Sequence, residues 1–203
     1  MSESRTDEQV TLVWHTDSIV ETLAKIARTS TQSSATGEVA DRRLLRYCLD
    51  NNHWSIFDLA TICFKIITTR AISAQIRAHR SFYAIEKSQR YSKATRLVEM
   101  PEEARTQISD DLSEETLEKW ERCANTAKEN ALNCYRLGIN LGIPLERARD
   151  VLPMATETEI VVSATVRQWI HYCRLRTQKE TQIDHRLIAQ KIQTILIDLI
   201  GLF

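Results

Sequence analysis

The residues able to do chemistry crowd into positions 75–91, which read Gln-Ile-Arg-Ala-His-Arg-Ser-Phe-Tyr-Ala-Ile-Glu-Lys-Ser-Gln-Arg-Tyr. Three arginines (Arg77, Arg80, Arg90), the imidazole of His79, the carboxylate of Glu86 and several hydroxyls fall within seventeen residues. Arginine grips phosphates and planar carbonyl groups with two donors at once. A carboxylate four residues before an arginine, as Glu86 is before Arg90, steadies it only where the stretch is helical. The composition suits a ligand both anionic and planar, such as a nucleotide. On residue types alone, the same stretch is also a solvated basic helix face.

The order of the residues separates these readings. It resembles the signature of the flavin-dependent thymidylate synthases, the ThyX family: Arg-His-Arg, seven residues, Ser, in a frame that ends Glu-x-Ser-x-Arg-Tyr. His79, Arg80, Glu86, Ser88, Arg90 and Tyr91 match, and Gln75 matches a Gln just upstream. Ala78 stands where the first Arg belongs, and Arg77 beside it points about 100° away on a helix. Elsewhere His53-Trp54-Ser55-Ile56-Phe57-Asp58 resembles the family's His-x-(Ser/Thr)-Pro-Phe-Glu segment. Ala148-Arg149-Asp150-Val151-Leu152-Pro153 resembles its Ala-Arg-x-x-Leu-Pro. Thr165-Val166-Arg167 and His171 through Arg176 follow Asn-x-Arg and Asn-Phe-x-x-Leu-Arg, with Thr165 and His171 in place of Asn. The likeness covers roughly residues 15–200.

The resemblance implies reductive methylation of dUMP to dTMP, with FAD as cofactor and NADPH and methylenetetrahydrofolate as co-substrates. It implies that Arg176 is catalytic, polarising the pyrimidine, and that Gln75, Glu86, Ser88, Gln89, Arg90, Arg149 and Arg176 bind the nucleotide. His53, Ser55, Ala78, His79, Arg80, Glu86, Thr165, Arg167 and His171 take the flavin positions. A homotetramer with shared active sites is also implied. Read without the family, Arg149 and Arg176 are surface ion-pair partners worth little, and His53 is a hydrogen-bonded loop residue. Sibling chemistries are UMP methylation and dUMP hydroxymethylation. A non-catalytic nucleotide- or flavin-binding homologue is the alternative from another class.

Bulk properties narrow the field. At 203 residues the chain fits one domain, 1–203, or a compact two-lobed unit, with an acidic, mobile connection near 97–113. Lys plus Arg and Asp plus Glu are 27 each, so no global field attracts nucleic acid or a membrane. Five scattered cysteines read as reduced thiols on apolar stripes or strands, inert as nucleophiles, in a cytoplasmic setting. No His, Cys, Asp and Glu set has metal-ligand spacing, and neither Gly-x-Gly-x-x-Gly nor a phosphate-loop motif occurs. The N-terminus, MSESRTDEQ, is no signal peptide, and no apolar run is long enough to span a membrane.

The elements that must position these residues follow from periodicity. Thr11–Trp14 reads as a strand, and Ser18-x-x-Glu21 as a capping box that opens a helix. Residues 29–37 form a polar loop before a helix bearing Leu44, Leu45 and Cys48. Residues 59–68 are β-branched and strand-like, and 69–80 are helical, so the signature starts on a helix and runs into an irregular loop through 81–92. Leu117, Trp120, Ala124, Ala127, Ala131 and Cys134 mark an amphipathic helix, with Trp120 in the core. Pro144 opens a short helix, and Glu159–Ser163 is a strand. Val166, Trp169, Ile170 and Cys173 form a buried stripe opposite Arg167, His171 and Arg174. A last apolar helix holds Ile183 to Leu199, with His185 and His15 structural. The fold class is α+β: helices packed around a small mixed or antiparallel sheet.

Overall fold

The computed structural model describes residues 9–30, 35–109 and 111–202. The first eight residues and positions 31–34 of the expected polar loop lie outside the described residues. The fold is α+β. Its strands are β1 (Val10–His15), β2 (Thr61–Thr69), β3 (Tyr83–Glu86) and β4 (Glu157–Thr165), in a four-stranded antiparallel sheet of order β1-β2-β4-β3. Its helices are α1 (Ile19–Arg28), α2 (Glu38–Asp50), α3 (Arg70–Arg77), α4 (Glu102–Ser109), α5 (Glu114–Asn140), α6 (Leu145–Ala148), α7 (Val166–Arg176) and α8 (Ile183–Ile200). Two 3₁₀ turns, Trp54–Asp58 and Arg149–Val151, complete the described elements.

β1 pairs with β2 from Val10 opposite Ile66 to His15 opposite Ile62, with an irregularity between Leu12 and Trp14. The opposed direction of β2 and β4 shows at their ends. The Arg70 amide donates to Thr156 and the Val166 amide donates to Ala60, both at 2.9 Å.

The chain forms two compact units. One comprises Met1–Ile66, Arg80–Ala84 and Val161–Phe203; the other comprises Ile67–His79 and Ile85–Ile160. The first buries Leu23, Leu45, Phe57, Phe64, Trp169, Ile188 and Ile192. Trp169 anchors it: its ring meets Phe64 edge-on at 4.9 Å and its Nε1 donates to the Ile62 carbonyl at 3.0 Å. A buried indole needs such a partner for its N–H. In the second unit Leu132, Tyr135 and Ala148 form a core flanked by Leu97, Ile139, Leu145 and Leu152. The Tyr135 hydroxyl accepts from the Ala94 amide at 3.0 Å.

Several expectations are corrected. Ser18 does precede α1, but its φ of 44° is left-handed and its side chain caps nothing. A capping hydroxyl normally sits on extended backbone, which aims it at the first free amides. The structure's capping box is Thr165 with Gln168, at the start of α7. Residues 81–92 are not wholly irregular, because 83–86 form the edge strand β3. Its alternation is inverted, with Tyr83 and Ile85 outward and Glu86 turned in, so hydropathy hides it. The acidic stretch 97–113 contains helix α4. Trp120 is 53% exposed because α5 packs through Leu117, Leu132 and Tyr135. Cys123 and Cys134 are exposed as well, so only Cys48, Cys63 and Cys173 are buried thiols.

Candidate active site

Glu86, the one carboxylate of the signature, is heavily engaged. Its side chain is 8% exposed. Arg70 lies at 2.7 Å from one oxygen, the Ser73 hydroxyl donates to that oxygen at 2.7 Å, and Arg77 reaches the other at 3.2 Å. Thr69 makes this possible, because its hydroxyl accepts from the Ile72 amide and starts α3 directly off β2. Arg70 and Ser73 then face the inward side of β3. The stretch is not helical, so Glu86 does not steady Arg90, which pairs instead with Glu146 at 3.3 Å. Arg77 is committed to Glu86 and does not stand in for the arginine absent at Ala78, the exposed C-cap of α3.

Beyond β3 the chain turns sharply. The Ser88 carbonyl accepts from the Ser92 amide at 2.9 Å, and its hydroxyl accepts from the Arg90 amide at 3.3 Å. Arg90, Glu146, Arg147 and Arg149 line an open cleft of about 290 Å³. Pro144 caps α6, and the 3₁₀ turn that follows carries Arg149. Arg147 and Arg149 form no ion pair among the described residues, so three guanidiniums face one exposed carboxylate, a set suited to a phosphate monoester. Gln89 lies apart, beside Lys87 and Thr158 around a cavity of about 60 Å³. Gln75 is half-buried on α3.

In the other unit, α7 carries the remaining residues. Thr165 caps it, accepting from the Gln168 amide at 3.3 Å, while Gln168 Oε1 accepts from the Thr165 amide at 2.8 Å. The Thr165 hydroxyl donates to Asp58 at 3.3 Å, and Arg167 binds the other Asp58 oxygen at 2.9 Å. Arg167 and His171 line a cleft of about 580 Å³ with Trp54, Asp58, Ser81, Gln168 and Arg174. His53 and Ser55 line a second cleft, of about 450 Å³, with Ser30 and Asn52. His53 precedes the 3₁₀ turn and meets the Tyr47 ring edge-on at 5.9 Å. Cations, an imidazole and hydroxyls around two clefts suit a phosphate-bearing planar cofactor, and these residues fit FAD in kind. His79 and Arg80 follow α3, with Arg80 exposed.

Arg176 ends α7, one turn beyond Tyr172. The Tyr172 phenol is buried and hydrogen-bonded to His185 at 3.1 Å. Burial raises its pKa, the neighbouring Cys173 adds to the rise, and the Arg176 charge opposes it. Burial alone pushes the Cys173 thiol up to about 12, which leaves it protonated and unreactive near neutral pH. The exposed Cys123 and Cys134 lie on α5, on neither cleft.

Sequence reasoning missed Arg70, Ser73, Asp58 and Arg147 as members of these clusters. Asp58 was legible as the counterpart of the family's Glu. Arg70 and Ser73 were not, because the strand that carries Glu86 past them had no hydropathy signal.

Residues 11–200 match the model of the family described as thymidylate synthase complementing protein, and the chain belongs to that family. It is 34% identical over 184 residues to a probable flavin-dependent thymidylate synthase of Paramecium bursaria Chlorella virus 1, covering 87% of this chain and 85% of the relative. It is 40% identical over 154 residues to the flavin-dependent thymidylate synthase of Synechocystis sp., covering 72% and 71%. A Pyrococcus furiosus flavin-dependent thymidylate synthase is 29% identical over 194 residues, covering 91% and 77%. No helix of the described residues is long and apolar enough to cross a membrane.

Proposed function

We propose that the protein is a flavin-dependent thymidylate synthase, which methylates dUMP to dTMP with FAD, NADPH and methylenetetrahydrofolate. The family match over residues 11–200 carries the reading. The three-arginine cleft at Arg90, Arg147 and Arg149 supports it, since a nucleotide monophosphate needs such a site. In this reading Arg90 and Arg149 hold the phosphate, with Ser88 and its turn, and Gln75 and Gln89 contact the nucleotide. Glu86, fixed by Arg70, Ser73 and Arg77, contacts the nucleotide and the flavin. Arg176 donates to the pyrimidine edge and stabilises anionic charge there without ever losing its own, so that ring carbon 5 becomes nucleophilic. FAD, when bound, supplies the hydride. His53, Ser55, His79, Arg80, Thr165, Arg167 and His171 line it. The fold is then the family's, in one functional domain, and the protein works as a cytoplasmic homotetramer with shared sites.

Incubation with dUMP, methylenetetrahydrofolate, FAD and NADPH, followed by mass spectrometry of the nucleotide, should yield dTMP. A hydroxymethyl product, or turnover of UMP instead, identifies the sibling chemistries. No product from either nucleotide overturns the reading. Arg176→Lys should depress kcat, and Arg149→Ala should mainly raise KM, because a phosphate contact acts alike on ground and transition states.

A further inference from the structure

The cleft beside α7 contains a cation that the reading above gives no task. Arg167, His171 and Arg174 project from one face of the helix, spaced four and three residues apart. Arg167 is partly neutralised by Asp58 at 2.9 Å. Arg174 forms no ion pair among the described residues. Its guanidinium instead lies over the Trp54 ring, 5.2 Å from the centroid. Trp54 is itself held in place. Its Nε1 donates to Asn52 Oδ1 at 3.2 Å, and its ring packs edge-on against the fully buried Phe57 at 6.2 Å. Asn52 adopts a left-handed φ of 59°, which fixes the approach of the chain to the turn.

A cation–π contact holds a guanidinium by its face and leaves the N–H donors on its edge unspent. Arg174 is therefore orientated without being satisfied, in an open cleft of about 580 Å³ that it shares with Arg167, His171, Gln168 and Ser81. Two arginines and an imidazole against the single carboxylate of Asp58 leave the cleft short of negative charge. A group with two adjacent anionic centres supplies the negative charge that this cleft lacks.

We propose that Arg174, held by Trp54, is a cofactor-binding residue that contacts the diphosphate of the dinucleotide. The inference rests on the flavin reading above, which assigns this cleft a phosphorylated ligand. It makes Trp54 a positioning residue, acting on the ligand through Arg174.

Titration of the full chain with FAD, riboflavin and ADP tests it, for the natural sequence and for Arg174→Gln, Arg174→Lys, Trp54→Leu and Trp54→Phe, each checked by thermal melting. Arg174→Gln should weaken FAD binding about tenfold or more and abolish competition by ADP, with riboflavin binding unchanged. Arg174→Lys should fall between, and Trp54→Leu should weaken FAD severalfold while Trp54→Phe restores it. If the natural protein binds FAD and Arg174→Gln binds it equally well, or loses riboflavin and FAD alike, the inference is overturned and the flavin reading stands. If the natural protein binds none of the three, the flavin reading fails and the inference fails with it.

Discussion

Two strand-to-helix junctions can be laid side by side. β2 runs nine residues to Thr69, which caps α3; β4 runs nine residues to Thr165, which caps α7. Each helix then offers arginines to a carboxylate from another element, Arg70 and Arg77 to Glu86, and Arg167 to Asp58. There the likeness stops. Glu86 is 8% exposed and takes three donors, whereas Asp58 is 39% exposed and takes two. The same local grammar serves opposite ends. At α3 the arginines reach the inward-turned Glu86 and fasten an edge strand to the helix. At α7 the apolar stripe takes the inward side, and the arginines are left facing a cleft. A buried carboxylate is costly unless fully satisfied, so Glu86 ties the fold together; an exposed pair is worth little to stability and remains available to a ligand.

The largest effect that tests this contrast is at Glu86. Glu86→Ala should cost about 2–4 kcal/mol in chemical denaturation, because Arg70 loses its partner and β3 its tie to α3. A cost equal to that of the Asp58 change below would end the distinction between the two junctions.

The alkaline limb of stability separates the helices next. α7 carries Cys173, whose thiol burial raises to about 12 from an ordinary value near 9. Below pH 9 both folded and unfolded chains keep the proton, and this stability is fully present. Between 9 and 12 the unfolded chain releases a proton that the folded one retains, so stability falls by up to about 1.4 kcal/mol per pH unit. Tyr172 steepens the fall above pH 10, and the buried Cys48 and Cys63 thiols, also raised, add to it. Cys173→Ala should flatten the slope measured between pH 9 and 10 without abolishing it. Changes in α3, which has no Cys, Tyr or His between Arg70 and Arg77, should leave it as it was.

The caps give a smaller difference. Thr69→Ala removes one capping bond and should cost about 1 kcal/mol. Thr165→Ala also removes the donor to Asp58 and half of a capping box, so its midpoint shift should be larger, with Thr165→Ser restoring most of it.

Smallest is Asp58→Asn, expected to cost under about 1 kcal/mol, since its pair with Arg167 is solvent-screened. Its consequence should appear in flavin titration instead, where an altered affinity at unchanged stability would mark Asp58 as tuning Arg167.

The order of residues settled a good deal unaided. The signature frame, the family, the α+β class and most element positions follow from local periodicity and motif spacing, which depend on near neighbours only. The face of α7 was legible for the same reason: Trp169 and Cys173 fall on one side of a helix, and Arg167, His171 and Arg174 on the other. What needed the tertiary structure was every pairing across distance. The partner of Glu86 became Arg70 and not Arg90, because β3 is an edge strand whose inward residue is its polar one. Trp120 surfaced because a helix of 27 residues offers more apolar positions than its neighbours cover, and packing alone selects among them. The meeting of Trp54 with Arg174 joins positions 120 residues apart, a distance over which no spacing rule reaches.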